Sequence, residues 1–162
     1  AFGLSQRLEI SRKEAKELID GYFRSYPGVK EYIDRTIAEA KNNGYVQTIF
    51  GRRRYLPDIN SANATVRSLA ERNAINAPLQ GSAADIIKIA MSSVAKALEG
   101  EGLRSRLILQ VHDELIVDAV KSEKERVKEI LRKEMESAAT VANLRIPLTV
   151  DIGEGENWLE AH

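Results

Sequence analysis

Three polar residues separate two apolar, β-prone segments of the sequence. His112, Asp113 and Glu114 lie between Arg106–Val111 and Leu115–Val120, a pattern that predicts a tight antiparallel hairpin with these residues at its tip. Carboxylate oxygens suit Mg²⁺, which typically meets one or two protein carboxylates together with substrate phosphates. Hairpin tips are also commonly rich in Asp because Asp tolerates turn geometry. The pair alone therefore leaves a metal site and an ordinary turn both open.

A second group of candidates is basic. Arg52, Arg53 and Arg54 follow Gly51 between two short β-prone segments, which predicts a hairpin with a basic tip. Guanidinium groups donate forked hydrogen bonds that match phosphate oxygens, although three arginines are also often a solvated turn. Phosphate binding is slightly favoured, because a hairpin tip cannot send all three side chains into water without entropic loss.

A third group shares one face of a predicted helix. Arg72, Asn76 and Gln80 are four residues apart, so a guanidinium and two amides form a row. Such groups hydrogen-bond base edges or sugar oxygens. Polar residues on an exposed helix face are the common alternative. The apolar neighbours favour a helix packed on several sides, where unpaired amides would be costly.

The composition indicates one folded domain of ordinary size. The chain has 162 residues, of which 43% are hydrophobic and 30% charged. Twenty-four basic residues balance 24 acidic ones, so a polyanion site must be a local patch. The absence of cysteine excludes disulfides and thiolate zinc sites, and no apolar run approaches the length of a membrane span. A cytoplasmic enzyme or binding module is expected.

The elements that must position these residues are predicted to alternate between helices and short strands. A capping box at Ser11 and Glu14 begins one helix, and Pro27 begins a second that ends at Gly44. Pro78 leaves either two helices or one kinked helix open. The remaining predicted elements are a long helical stretch over 62–99, a surface helix over 122–141 and a strand over 147–152. Together the elements indicate an α+β fold with an antiparallel sheet.

The segment Leu109–Leu115, which reads LQVHDEL, resembles the Q-V-H-D-E motif of the palm domain of the family A DNA polymerases, the family of bacterial DNA polymerase I. Three further segments resemble that family in the same order along the chain. They are GRRRYLPD over Gly51–Asp58, RNAINAPLQGSAADIIK over Arg72–Lys88, and GENW over Gly155–Trp158. The resemblance covers nearly the whole chain and adds a long kinked helix and a catalytic hairpin in the palm sheet to the expected fold.

The resemblance implies a role for each candidate residue. Asp113 would be one of two aspartates that hold a catalytic pair of Mg²⁺ ions, with Glu114 as a supporting acid and His112 near the primer terminus. The residues implied to contact DNA are Arg67 at the backbone and Arg72, Asn76, Gln80 and Gln110 in the minor groove. The implied reaction is attack of a primer 3′-hydroxyl on the α-phosphate of a deoxynucleotide. Its partners are primer-template DNA and dNTP, in DNA replication and repair at the nucleoid.

The resemblance also implies that the chain is part of a longer one. Residues 1–60 would be a partial fingers subdomain and residues 61–162 the C-terminal palm portion. The second palm aspartate and the nucleotide-gripping fingers helix are expected before Ala1, so the chain alone is expected to be inactive and to self-associate. A non-catalytic DNA-binding module is the main alternative. A metal-dependent nuclease is disfavoured, because no second acidic cluster accompanies the hairpin tip.

Overall fold

The computed structural model describes residues 2–161, which form six α-helices and two small antiparallel sheets. A short 3₁₀ helix covers Lys121–Glu123. The observed elements confirm the predicted α+β class. In chain order they are α1 (Phe2–Leu8), α2 (Arg12–Ser25), α3 (Pro27–Asn43), β1 (Tyr45–Gln47), β2 (Arg53–Tyr55), α4 (Ala64–Gly100), β3 (Arg106–Val111), β4 (Glu114–Asp118), α5 (Lys124–Val141) and α6 (Trp158–Ala161).

Local sequence signals place the boundaries of α2 and α3. The Ser11 hydroxyl accepts from the Glu14 backbone N–H at 3.2 Å, and the Glu14 carboxylate accepts from the Ser11 N–H at 2.9 Å. Pro27 occupies the first turn of α3, and Gly44 ends that helix with a φ of 76°. The predicted capping box, helix start and glycine cap are all confirmed. Helix α1 was not predicted, because its seven residues carry no cap signal.

The chain forms two compact units, each with its own core. The first comprises the chain up to Val46 together with Arg53–Ala77. Its core is built mainly from small side chains, namely Ala40, Val46, Leu56, Ile59, Ala70, Ala74 and Ala77. The second comprises Gln47–Arg52 together with the chain from Pro78 onward. Val94, Leu98, Val127 and Ile130 form its core, against which Leu107, Leu115 and Val117 of the β3–β4 hairpin pack. These units are compact bodies, and the predicted fingers and palm boundary at residue 60 stays a prediction.

Helix α4 runs without a break through Pro78. Of the two alternatives left open by the sequence, two helices or one kinked helix, the structure has a single helix, and the kink stays a prediction. Proline removes one hydrogen bond from the helix and costs about 3 kcal/mol in an ordinary interior position. The burial of Ala70, Ala74 and Ala77 on the preceding turns stabilises the helix against this cost.

The predicted strand over 147–152 is wrong, because that segment has no strand in the described part of the chain. A strand requires a neighbouring strand to satisfy its backbone groups. The Val150 N–H instead donates to the carboxylate of Glu136 on α5, at 3.1 Å. None of the helices within residues 2–161 is both long enough and apolar enough to cross a membrane.

Candidate functional site

The β3–β4 hairpin contains one extra residue on β3. Leu107 pairs with Val117, whereas Leu109 pairs with Ile116, so Ile108 has no partner on β4 and forms a β-bulge. Beyond the bulge Gln110 pairs with Leu115, and Val111 pairs with Glu114. The bulge was not visible in the alternating apolar pattern of the sequence.

The resulting turn contains two residues rather than three. His112 and Asp113 form it, and Glu114 is already the first residue of β4. His112 and Asp113 are exposed and Glu114 is half-buried. His112 has a φ of 52°, a region that non-glycine residues enter rarely and that histidine tolerates better than most. The carboxylate of Asp113 is thus presented at the end of a short, defined turn.

The side chain of Gln110 contacts the backbone of this turn. Its Nε2 donates to the main-chain carbonyl oxygen of His112 at 2.6 Å. Sequence reasoning assigned Gln110 to a DNA groove, an assignment that stays a prediction. It did not anticipate a bond within the hairpin.

Glu123 holds the base of the hairpin. Its carboxylate accepts from the backbone N–H groups of Arg104 and Ser105 at 3.1 and 2.9 Å, and from the Ser105 hydroxyl at 2.7 Å. The Ser105 oxygen in turn accepts from the Val120 N–H at 3.0 Å, which joins the two ends of the hairpin. Ser105 is only 1% exposed. The hydrogen bonds from its hydroxyl and its backbone N–H, in that order, lower the pKa of Glu123. We call Ser105, Val120 and Glu123 the base clamp. Sequence reasoning missed it, because it joins residues 15 to 18 positions apart.

The donor set at the turn fits a divalent cation only in part. Asp113 and Glu114 offer hard carboxylate oxygens, and Mg²⁺ accepts one or two of these when substrate phosphates complete its shell. No group of three or more metal-ligating acids, histidines or cysteines occurs within residues 2–161. The described residues therefore fit part of a metal site that other ligands must complete.

The three consecutive arginines have three different environments. Arg52 forms an ion pair with Asp85 of α4, with 2.5 Å between Nη2 and Oδ1, and the same nitrogen lies 3.3 Å from the Gly81 carbonyl oxygen. The guanidinium of Arg53 lies 4.5 Å from the centre of the Tyr45 ring. The side chain of Arg54 is exposed, and its guanidinium forms no hydrogen bond or ion pair with the rest of the described chain. The structure thus does not present the triplet as one uniform basic tip.

The turn between β1 and β2 packs closely on α4. The Ile49 N–H donates to Ser82 Oγ at 3.0 Å, and that hydroxyl donates to the Pro78 carbonyl at 2.5 Å. A Cβ atom added at Gly81 would lie 2.6 Å from the Thr48 methyl carbon. An alanine at position 81 would therefore force the Thr48 side chain to move. The sequence shows a glycine within a helical pattern at this position, but it does not show that Thr48 is the residue packed against it.

The predicted groove residues lie on α4. Arg72, Asn76 and Gln80 are all exposed, which differs from the expected packing on several sides. The alanines between them, Ala74 and Ala77, face the core of the first unit, and this burial accounts for the apolar context. Arg67 donates to the Ser61 carbonyl at 2.7 Å, so its guanidinium braces the segment before α4.

Comparison with known proteins identifies the family. The model of "DNA polymerase family A" matches residues 1–160. The chain belongs to DNA polymerase family A. It is 55% identical over 160 residues to DNA polymerase I of Geobacillus stearothermophilus, and 52% identical over 162 residues to that of Pseudomonas aeruginosa. These matches cover 99% and 100% of the chain but 18% and 17% of the relatives.

A solved structure supports the same assignment. The POL domain of Pol1 from M. smegmatis, in complex with DNA primer-template and dNTP, has a TM-score of 0.93 and 45% identity to this chain. The similarity covers 99% of the chain and 28% of that domain's chain. This family A fold therefore extends over essentially every described residue, while the chain spans about a fifth of the length of its curated relatives.

Proposed function

We propose that this chain is one part of a DNA-directed DNA polymerase and contributes to template-directed transfer of a nucleotide to a primer. The observation that carries the proposal is the match over 99% of the chain to a polymerase domain complexed with primer-template and dNTP. In this reaction the primer 3′-hydroxyl attacks the α-phosphate of the incoming deoxynucleotide, and pyrophosphate leaves.

Asp113 is the residue to which we assign metal binding, with Glu114 as the supporting acid. Mg²⁺ bound there would supply positive charge for the attacking and leaving oxygens. The turn presents the Asp113 carboxylate to solvent, where substrate phosphates can complete the ligand set. His112, the residue before it, is placed at the primer terminus by the same proposal.

In this proposal the DNA contacts come from the exposed face of α4 and from Arg54 of the β1–β2 hairpin. The guanidinium and amide groups of Arg72, Asn76 and Gln80 are exposed donors. Minor-groove acceptors are common to all correct base pairs, so donors there sense pair geometry without reading sequence. Within the arginine triplet, Arg54 is exposed and its guanidinium has no ion-pair partner in the described chain, so its charge is available to a phosphate.

A chimeric polymerase tests the proposal. In DNA polymerase I of Geobacillus stearothermophilus, this chain replaces the segment to which it is 55% identical. We expect the chimera to add the template-directed nucleotide to a primer and to depend on a divalent cation. The same polymerase with the segment deleted is the control and is expected to be inactive.

The alternative function is a DNA-binding module without catalysis. The presence of fewer than three clustered metal ligands within residues 2–161 favours this alternative for the chain taken alone. A folded chimera that binds primer-template but adds no nucleotide would support the binding module and contradict the polymerase proposal.

A further inference from the structure

The side chain of Gln110, which was predicted to contact DNA, forms a hydrogen bond within its own hairpin. Its amide nitrogen lies 2.6 Å from the carbonyl oxygen of His112, two residues along the chain. That carbonyl belongs to the peptide unit between His112 and Asp113. Because a peptide unit is planar, holding its oxygen fixes the plane from which the Asp113 backbone continues.

The conformation of His112 makes such a brace useful. Its φ of 52° lies in the left-handed region, which L-residues populate only when their surroundings hold them there. The turn has two residues and places His112 directly before the predicted metal ligand. A hydrogen bond to the His112 carbonyl stabilises this conformation over the more extended alternatives.

The bulge at Ile108 sets the register in which Gln110 and the turn stand. In a regular ladder continued from the Leu107–Val117 pair, Leu109 would stand opposite Leu115. The extra residue places Gln110 there instead, and residues paired across two strands share a face of the sheet. Bulges of this kind redirect a side chain near a functional site. The bulge also leaves two residues, His112 and Asp113, between the pair Val111 and Glu114.

We propose that Gln110 is a positioning residue for the metal site, acting through the His112 carbonyl to hold the turn that presents Asp113. This role rests on the polymerase function proposed above and deepens it. It differs from a minor-groove contact, because it operates before DNA is bound and its effect falls on the metal ligand.

The first experiment measures the turn directly, in the metal-free chimera described above. Hydrogen–deuterium exchange of the peptide covering residues 109–115 is compared among Gln110→Leu, Gln110→Lys and the parent. Leucine removes the donor at similar volume, whereas lysine retains one. Gln6→Leu, which changes an exposed glutamine of α1, is the matched control. We expect faster exchange for Gln110→Leu only, with lysine restoring the parent rate. Unchanged exchange in Gln110→Leu would overturn the proposal.

The second experiment measures metal affinity without chemistry. Mn²⁺ is titrated, with electron paramagnetic resonance detection, into chimera bound to dNTP and a primer-template that ends in a dideoxynucleotide. Removing a residue that orients a metal ligand typically weakens binding between about 10-fold and 100-fold. We expect a loss in that range for Gln110→Leu, recovered in large part by Gln110→Lys. Mn²⁺ affinity equal to that of Gln6→Leu would overturn the proposal.

A modified primer separates this role from a groove contact. A primer that ends in 3-deazaguanine lacks the minor-groove ring nitrogen N3 that an amide could reach. If Gln110 acts through the turn, Gln110→Leu and the modified base lower the incorporation rate independently. The combined fold-loss is then the product of the two separate fold-losses. A Gln110→Leu loss that disappears on the modified primer would assign Gln110 to the groove and overturn the proposal. A parent chimera that exchanges and binds Mn²⁺ as expected but adds no nucleotide contradicts only the polymerase function.

Discussion

Arg52 shows how the environment of one residue redirects its chemistry. Its sequence context favours phosphate binding, yet its guanidinium is occupied by Asp85, whose side chain is only 15% exposed. The second carboxylate oxygen of Asp85 is buried without a hydrogen-bond partner in the described chain, so Arg52 is the main group that compensates this acid. Arg54, two residues later, is exposed like the rest of the triplet, but its guanidinium forms no ion pair with the described chain.

Replacing each arginine separately tests this division of roles. In the chimera, Arg54→Ala is expected to reduce the slope of log affinity for primer-template against log salt by about 1, because one phosphate contact is lost. Arg52→Ala is expected to leave that slope unchanged and to destabilise the protein by about 1 to 2 kcal/mol, because it leaves a buried acceptor unpaired. Salt titration and thermal unfolding distinguish the two. The same slope change in both variants would mean that Arg52 also binds phosphate.

At the scale of elements, the base clamp ties the hairpin to the start of α5. The pKa of Glu123 lies below its ordinary value, mainly because the Ser105 hydroxyl and N–H donate to its carboxylate. A carboxylate whose pKa is lowered by folding contributes stability that is present above its unfolded pKa, about 4.3. That contribution is lost as pH falls below this value and through the folded pKa.

Glu123→Gln therefore has a pH-dependent effect. The variant is expected to have a lower Tm than the parent at neutral pH, since an amide cannot accept the bonds of a carboxylate in the same way. The difference is expected to shrink below about pH 4 as the parent glutamate becomes protonated. Thermal unfolding across pH measures this, with the exposed Glu125→Gln as control. A Tm difference that stays constant down to acidic pH would contradict the role of the charged carboxylate.

The contact between Gly81 and Thr48 gives a second prediction at this scale. Alanine in a helix interior is favoured over glycine by roughly 1 kcal/mol, and Gly21→Ala in α2 is expected to show that gain, because the nearest atom to its new Cβ lies 3.7 Å away. Gly81→Ala is expected to lose it, because Thr48 must move and its hydroxyl accepts from the Arg52 N–H at 3.2 Å. Equal stabilisation by both substitutions in thermal unfolding would show that Thr48 yields freely.

What the sequence could reveal about these elements depended on the range of the interaction. The capping box at Ser11, Pro27 and Gly44 act within one helical turn, so their patterns predicted the boundaries correctly. The bulge at Ile108 and the base clamp depend on residues from different elements, which no local pattern contains. The prediction of a strand over 147–152 was wrong for the same reason, because an alternating apolar segment forms a strand only beside a second strand.

The site showed the same division. Asp113 was assigned from a motif, an assignment that stays a prediction, whereas the exposure of Arg72, Asn76 and Gln80 differs from the packed helix that the sequence led us to expect. The bond from Gln110 to the His112 carbonyl depends on the register of the hairpin, which has a two-residue turn where the sequence predicted a three-residue tip.

At the scale of the whole molecule, the chain corresponds to about a fifth of its full-length relatives. Asp113 and Glu114 alone offer too few oxygens for tight Mg²⁺ binding. Isothermal titration calorimetry of the purified chain with Mg²⁺ is expected to give a dissociation constant in the millimolar range or weaker. This corresponds to a binding free energy of about −4 kcal/mol or one that is less favourable. Micromolar binding would mean that the chain holds a more complete site than its described residues show.

We propose that this chain supplies the Asp113 metal ligand of a polymerase. The most direct test is single-nucleotide incorporation by the chimera carrying Asp113→Ala, with primer-template affinity measured on the same samples. Asp118→Ala, at the exposed end of β4, is the matched control. We predict that Asp113→Ala nearly abolishes incorporation while affinity stays within a few-fold, because a metal ligand is removed and the DNA contacts remain. Incorporation by Asp113→Ala at the rate of Asp118→Ala would contradict the account.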